Sequence, residues 1–328
     1  MKKMTVRQVA ALFALAYAAD AGAEISVLQE GRIRAVYRTE GRDAVRPDDI
    51  NTNGVPDQVE DVLAQTVAAR LLFVEVLGFP DPLQTERFRT AATLDIWFKG
   101  AGPGVRNGTA FDELQRTRGV PGDPTGALCI AFNVLTTLDP KKNVTPAHEF
   151  FHLIQYGVTF FKNRWYTEGT ARWSEYGLLA GALGPGELLA AWPLPPDGAA
   201  ALFARSYDAA QTFWNPLAMR FDQDAPFPEG PALQKLQAMT YTDGTPIMKD
   251  VKLSGWRFVR DVLFELGEED DFAYREQGYA RWSEVNQFSP RNDAYILRAV
   301  ERVATRQGGV RPQETDARLR ELNGKRPF

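Results

Sequence analysis

The sequence predicts an α+β fold, with a twisted sheet in the N-terminal lobe and a mostly helical C-terminal lobe. Short apolar or alternating stretches of strand character lie ahead of position 135, apolar residues at helical spacing prevail after it, and a histidine-bearing helix stands at the junction. With 328 residues, 44% of them hydrophobic, the chain is long enough for one large domain or for two lobes sharing a core.

The first 23 residues read as an export leader. Lys2, Lys3 and Arg7 precede an apolar run from Val9 to Ala19, and Ala21-Gly22-Ala23 supplies small residues for cleavage after Ala23. The apolar run is too short to span a bilayer stably, so the mature protein is expected to be periplasmic or secreted, with no membrane span. Losing the leader, including Asp20, takes the formal charge from −4 to −6.

An N-terminal lobe is expected over residues 24–157. Ile25–Leu28 and Ile33–Tyr37 have strand character, and residues 42–57 form a polar loop rich in Asp, Asn, Gly and Pro. Val59, Val62, Leu63, Val67, Leu71 and Val74 keep near-helical spacing, which predicts a helix over Gln58–Leu77 stopped by Gly78 and Pro80. Thr93–Lys99 and Ala127–Val134 follow as strands, separated by a glycine-rich stretch over Gly100–Gly108. Thr145 as N-cap and Pro146 at the first helical position then open a helix running to about Tyr156. Beyond it, a helical lobe over 158–305 is assembled from Trp165–Leu179, Ser206–Phe221, Val251–Leu266 and Asp293–Ala304, with a loop over Gly184–Gly198. Residues 306–328 read as a charged surface tail.

Composition narrows the function. Thirty-eight basic against forty-two acidic residues give no basic footprint, which argues against a nucleic-acid partner. The single cysteine, Cys129, excludes an intramolecular disulfide; set in the apolar run Ala127–Phe132, it is expected to be a buried, inert thiol.

The chemistry is concentrated in His148-Glu149-Phe150-Phe151-His152. Histidines four apart on a helix project from one face, so both imidazoles can reach one zinc ion. Glu149 points beside the metal, where a carboxylate can take a proton from zinc-activated water and return it to the leaving amine. These are the only two histidines in the chain. A catalytic zinc needs a third protein ligand, here a carboxylate or Cys129. Glu168, in Trp165-Tyr166-Thr167-Glu168-Gly169-Thr170-Ala171-Arg172, is the expected ligand, with Gly169 allowing close approach to the metal helix. Glu175, two turns further along the same face, is either a hydrogen-bond partner of a ligating histidine or, as preferred here, a surface carboxylate.

H-E-F-F-H followed by W-Y-T-E-G-T-A-R-W resembles the gluzincin peptidases, in particular exported bacterial families with H-E-x-x-H and then W-x-x-E-G-x-A. The resemblance covers Thr145 to Glu175. It implies a zincin-like fold and peptidase activity, with zinc on His148, His152 and Glu168 and with Glu149 as catalytic base.

A second metal loop is suggested by Asp49 to Glu60, where Asp49, Asn51, Asn53, Asp57 and Glu60 occupy the side-chain positions of a calcium loop, Val55 the carbonyl position and Gly54 the sharp turn. The run resembles the calcium repeats of dockerins and thrombospondin-like modules. The alternative is a polar turn capping the next helix; either way its role is structural. The expectation is thus an exported zinc metallopeptidase, with a protein or peptide substrate laid along a sheet edge and Tyr207 steadying the oxyanion. Zinc hydrolysis of a non-protein amide or ester, or a silent calcium-stabilised binding protein, stands as the alternative.

Overall fold

The computed structural model describes residues 24–308 except 118, 125, 182, 184–191 and 223–225. The export leader, most of the predicted tail and half of the predicted Gly184–Gly198 loop lie outside the described residues.

Strands β1 (Ser26–Glu30) and β2 (Ile33–Tyr37) pair antiparallel through a two-residue turn, and Gly31 there takes φ +58°, a conformation that favours glycine. Helix α1 (Asp57–Arg70) crosses from β2 to the parallel strand β3 (Thr93–Lys99). Strand β6 (Leu128–Leu135) lies parallel to β3, and its other side carries two short antiparallel strands, β4 (Gly108–Ala110) and β5 (Gln115–Arg116). The order is β1-β2-β3-β6-β4, a mixed sheet with β4 on the edge.

Alternation along the three inner strands divides the sheet faces. Ile33, Ala35 and Tyr37, Leu94, Ile96 and Phe98, and Ile130, Phe132 and Val134 join the main apolar core, where α1 and α2 (Thr145–Val158) pack. Arg34 and Asp95 occupy the opposite face, where Arg34 donates to both Asp95 oxygens at 2.9 and 2.7 Å and to Asp123 at 2.6 and 3.0 Å. Two carboxylates sharing one guanidinium satisfy charges that burial would otherwise penalise. Cys129 lies on this face too, buried, and desolvation pushes its thiol far up.

The C-terminal lobe comprises α3 (Arg164–Ser174), α4 (Pro196–Phe203), α5 (Asn215–Asp222), α6 (Pro231–Ala238), α7 (Trp256–Glu276), α8 (Glu284–Gln287) and α9 (Asn292–Arg306). One continuous apolar cluster, from Ile33 to Ala304, runs through both lobes. The fold is therefore α+β, as expected.

Several boundaries depart from the sequence reading. The first long helix keeps its α-helical form to Arg70 and continues over Leu71–Val76 with a wider π-type turn. Thr145 does not cap α2: it is the first helical residue, and the Asn143 side chain accepts its amide at 2.9 Å and its hydroxyl at 2.6 Å. The predicted Trp165–Leu179 helix tightens to a 3-10 turn at Glu175–Gly177. Strands β4 and β5 and helices α6 and α8 are too short to leave a periodic pattern in the sequence.

Gly255, at the head of α7, combines φ +76° with close packing on α5, where an added Cβ would sit 2.0 Å from the Ala218 Cβ and 2.6 Å from its Cα. Gly255→Ala is expected to lose about 3 kcal/mol of stability, from backbone strain and an unavoidable displacement of α5. Urea unfolding measures it; an unchanged midpoint would contradict this packing.

Candidate metal centre

Helix α2 is two-faced, and that decides where its histidines go. Phe151 packs edge-on against Phe73 (5.1 Å), Phe79 (5.5 Å) and Trp173 (6.2 Å), and Phe150 is fully buried. With the phenylalanines anchored in the core, His148 and His152 turn together to the other side, their rings 4.7 Å apart.

Helix α3 brings Glu168 to them. Its first turn is clamped from outside: Trp165 stacks on Trp214 (5.8 Å, 13°), the Trp214 indole donates to the Trp165 carbonyl at 2.8 Å, and Asp293 accepts from Trp165 Nε1 at 2.7 Å and from Asn163 at 2.6 Å. Gly169 serves this clamp rather than an approach to α2, since a Cβ there would meet the Trp214 ring at 2.7 and 2.8 Å and Ala209 at 3.0 Å. The close approach to α2 is made by Gly108 instead: on edge strand β4, its added Cβ would fall 2.4 Å from Glu149 Oε1 and 2.5 Å from Thr145.

Glu168 Oε2 lies 3.6 Å from His148 Nε2 and 3.7 Å from His152 Nε2. Ligand atoms about 2.0–2.1 Å from a tetrahedral metal stand roughly 3.4 Å from one another, so these spacings suit a shared ion. His148, His152 and Glu168, each offering an atom within 4.8 Å of the others, can hold a metal ion, and they are the only histidine, cysteine and carboxylate group of this kind among the described residues. Cys129 takes no part; it remains beside Asp95 in the sheet.

The far nitrogens are equally defined. Gln155, fully buried, donates through Nε2 to the Thr167 carbonyl (2.9 Å) and the Thr170 hydroxyl (2.6 Å). Its Oε1 can then only accept, at 2.7 Å from His152 Nδ1, which places the proton on Nδ1 and leaves Nε2 a lone pair for a metal. His148 Nδ1 donates to Glu175 Oε1 at 2.9 Å. Glu175 is thus not a surface carboxylate: it is 4% exposed, because the tight turn after α3 carries it inward, and Arg172 pairs with its second oxygen. Tyr207 donates its hydroxyl to Glu175 Oε1 at 2.6 Å and lays its ring 5.6 Å from that of His148, while 46% of the residue stays exposed. The hydroxyl expected at an oxyanion is in this structure committed to a histidine's partner.

Electrostatics follow from this crowding. Burial opposes charge on His148, but the Glu168 and Glu175 carboxylates outweigh it and lift the imidazole to about 9. Burial would raise Glu168 too; hydrogen bonds and charge from the two histidines override it and hold the carboxylate well below its usual range. Glu149, the remaining acid, is pushed up by burial, against the pull of both histidines and of a hydrogen bond from the Ala110 amide.

Tyr156 and Gln155 were not anticipated, although their spacing of four and three residues from His152 places them on the metal face. The Tyr156 ring stacks on His152 (5.7 Å, 7°), and its phenol is raised by burial and by the charges of Glu149, Asp112 and Glu168.

In the predicted calcium loop, Asp49 accepts the amides of Asn53 (3.2 Å) and Gly54 (2.8 Å). Asn51 and Asn53 turn their side-chain nitrogens onto Glu60 at 3.0 and 2.8 Å, and Val55 donates its amide to Asn53 Oδ1 at 2.8 Å. Asp57 accepts the Ile50 amide, at 3.1 and 3.2 Å through its two oxygens. Asp49, Asn51, Asn53 and Glu60 are thereby linked to one another, while Asp57 is bonded to the Ile50 backbone; the loop closes on its own side chains ahead of α1.

No known protein family matches the chain, and no curated protein does. The functional reading accordingly stands on the geometry and on the motif residues.

A metal at this centre must displace the proton that His148 carries below about pH 9. In the metal-free protein, the raised imidazole stabilises the fold fully below its ordinary value of 6.5, and that contribution is lost as pH rises through about 9. The stabilisation conferred by metal should therefore grow between pH 6.5 and pH 9 and level off above. Thermal unfolding with and without metal across this range measures the difference; a pH-independent gap would contradict the assignment.

Proposed function

We propose that this protein is an exported zinc-dependent peptidase of gluzincin type, with His148, His152 and Glu168 as zinc ligands and Glu149 as general base. The observation that carries the reading is the convergence of two imidazole Nε2 atoms and one carboxylate at 3.6–3.7 Å, with a separate buried carboxylate on the intervening residue. Two imidazoles and a carboxylate form a donor set that suits zinc and leaves a fourth position open. The order of parts also agrees with a zincin-like fold: a mixed sheet with an antiparallel edge strand beside the metal helix, and a third ligand from the next helix.

Zinc, when bound, supplies Lewis acidity and makes water acidic enough to ionise near neutral pH. Glu149, positioned by the Ala110 amide and raised by its burial, accepts the water's proton and passes it to the leaving nitrogen. Glu175 and Gln155 hold the two imidazoles in the tautomer that presents Nε2.

A peptide substrate is favoured by β4. Asn107 and Phe111 pair with β6 through bonds of 3.0 Å, so the outer backbone edge of Gly108–Ala110 pairs with no further strand among the described residues, and Gly108 lies against Glu149. An extended chain can add to such an edge through main-chain hydrogen bonds, which side chains of varied sequence tolerate.

Glu149→Gln tests the assignment. The variant should retain one metal ion per chain, because Glu149 is not a ligand, yet hydrolyse a denatured protein about 10³-fold more slowly. A zinc-loaded wild type that cleaves no peptide would sink the reading.

Calcium in the Asp49–Glu60 loop is a second, structural part of the proposal, supported by the gathering of Asp49, Asn51, Asn53 and Glu60. Binding would require the asparagine amides to turn their oxygens inward. Millimolar calcium should then raise the melting temperature of the wild type and not that of Asp49→Ala; equal shifts would leave the loop a helix-capping turn.

A further inference from the structure

Tyr156 occupies the third place in the series 148, 152, 156, one helical turn beyond the second histidine on the same face of α2. Side chains on a helix lean towards its N-terminus, so the Tyr156 ring is carried back over His152 and not away from it. The two rings lie almost parallel, 5.7 Å apart at 7°.

The base of this side chain is held firmly. Arg87 donates to the Tyr156 carbonyl at 2.9 Å, and Lys162 Nζ stands 5.7 Å from the ring centroid. Asp112 accepts from Arg87 at 2.9 Å and lies 3.0 Å from Lys162, which ties this wall to the segment leaving β4. The tip is different: the hydroxyl has no hydrogen-bond partner among the described residues, and the residue is only partly buried. The charges that act on its phenol include those of Glu149, Asp112 and Glu168. Tyr207, by contrast, already donates to Glu175 at 2.6 Å.

We propose that Tyr156 is a further catalytic residue, whose phenol donates a hydrogen bond to the carbonyl oxygen of the scissile peptide as that oxygen gains charge. The proposal rests on the zinc-peptidase reading and assigns to Tyr156 the role that the sequence suggested for Tyr207. As the water oxygen bonds to the carbonyl carbon, the water's proton goes to Glu149; when the carbon–nitrogen bond breaks, that proton goes to the leaving nitrogen. The phenol keeps its own proton throughout and acts only as a donor. A donor fixed by a stacked ring needs little reorganisation at the moment of reaction, the condition under which such a contact favours the transition state over the ground state.

Tyr156→Phe removes the hydroxyl and preserves the ring that stacks on His152. In the zinc-loaded protein, metal content should stay at one ion per chain, kcat should fall about 10²-fold and KM should change less than about threefold. Affinity for a phosphonamidate peptide, whose tetrahedral oxygens resemble the intermediate, should fall about tenfold or more by calorimetry. Wild-type binding of the phosphonamidate with equal affinity and equal kcat in Tyr156→Phe would overturn the role of Tyr156 and leave the peptidase reading standing. A zinc-loaded wild type that neither cleaves peptides nor binds the phosphonamidate would overturn both.

Discussion

Burial of two imidazoles against carboxylates between α2 and α3 is the constraint on which the rest of the structure depends. His148, Glu149, His152 and Glu175 are all buried, and charges so placed are costly unless each finds a partner. Pairing is supplied across the helix interface: Glu168 lies within reach of both Nε2 atoms, Glu175 takes one Nδ1, and Gln155 takes the other while gripping α3 at Thr167 and Thr170. Gln155 couples α2 and α3 directly, because one amide orients His152 and fixes the turn of α3 that carries Glu168.

Rigidity at this interface is drawn from its surroundings. Phe150 and Phe151 lock α2 into the apolar core that extends to the sheet, and the Trp165–Trp214 stack with Asp293 locks α3 into the helical lobe. One continuous apolar core runs from the sheet through α2 and α3 into the later helices, around the place where His148, His152 and Glu168 meet. A site whose ligand spacing is set by packed aromatic side chains is pre-organised, so little ordering remains to be done on binding metal.

The two histidines differ in their partners, and the difference has chemical consequences. His148 leans on a charged carboxylate shared with Arg172 and Tyr207, whereas His152 leans on a neutral amide. An anionic partner makes an imidazole a stronger donor to a metal than a neutral one does. Glu149 is held by the edge-strand amide of Ala110, while the Tyr156 hydroxyl has no hydrogen-bond partner among the described residues. The two tyrosines beside the histidines thus differ: Tyr207 is bonded to Glu175, whereas Tyr156 stacks on His152.

The sequence by itself determined the α+β class, the three inner strands, the histidine-bearing helix and the trio His148, His152 and Glu168 that can hold a metal ion, because these depend on local periodicity and on residue spacing along one or two helices. The calcium-type loop was legible in the same way as a run of positions, but not that Asp57 gives its oxygens to the Ile50 amide or that Asn51 and Asn53 turn their side-chain nitrogens onto Glu60. Residues that act across elements were not legible. Gln155 reads as an ordinary helical polar residue until Thr167 and Thr170 are set against it, Glu175 reads as a surface acid until the tight turn buries it, and Gly108 reads as loop until β4 presses on Glu149. Tertiary structure alone decided these, for the physical reason that a side chain's hydrogen-bond partner and solvent exposure are properties of the neighbour it meets, and that neighbour lies far away in the chain.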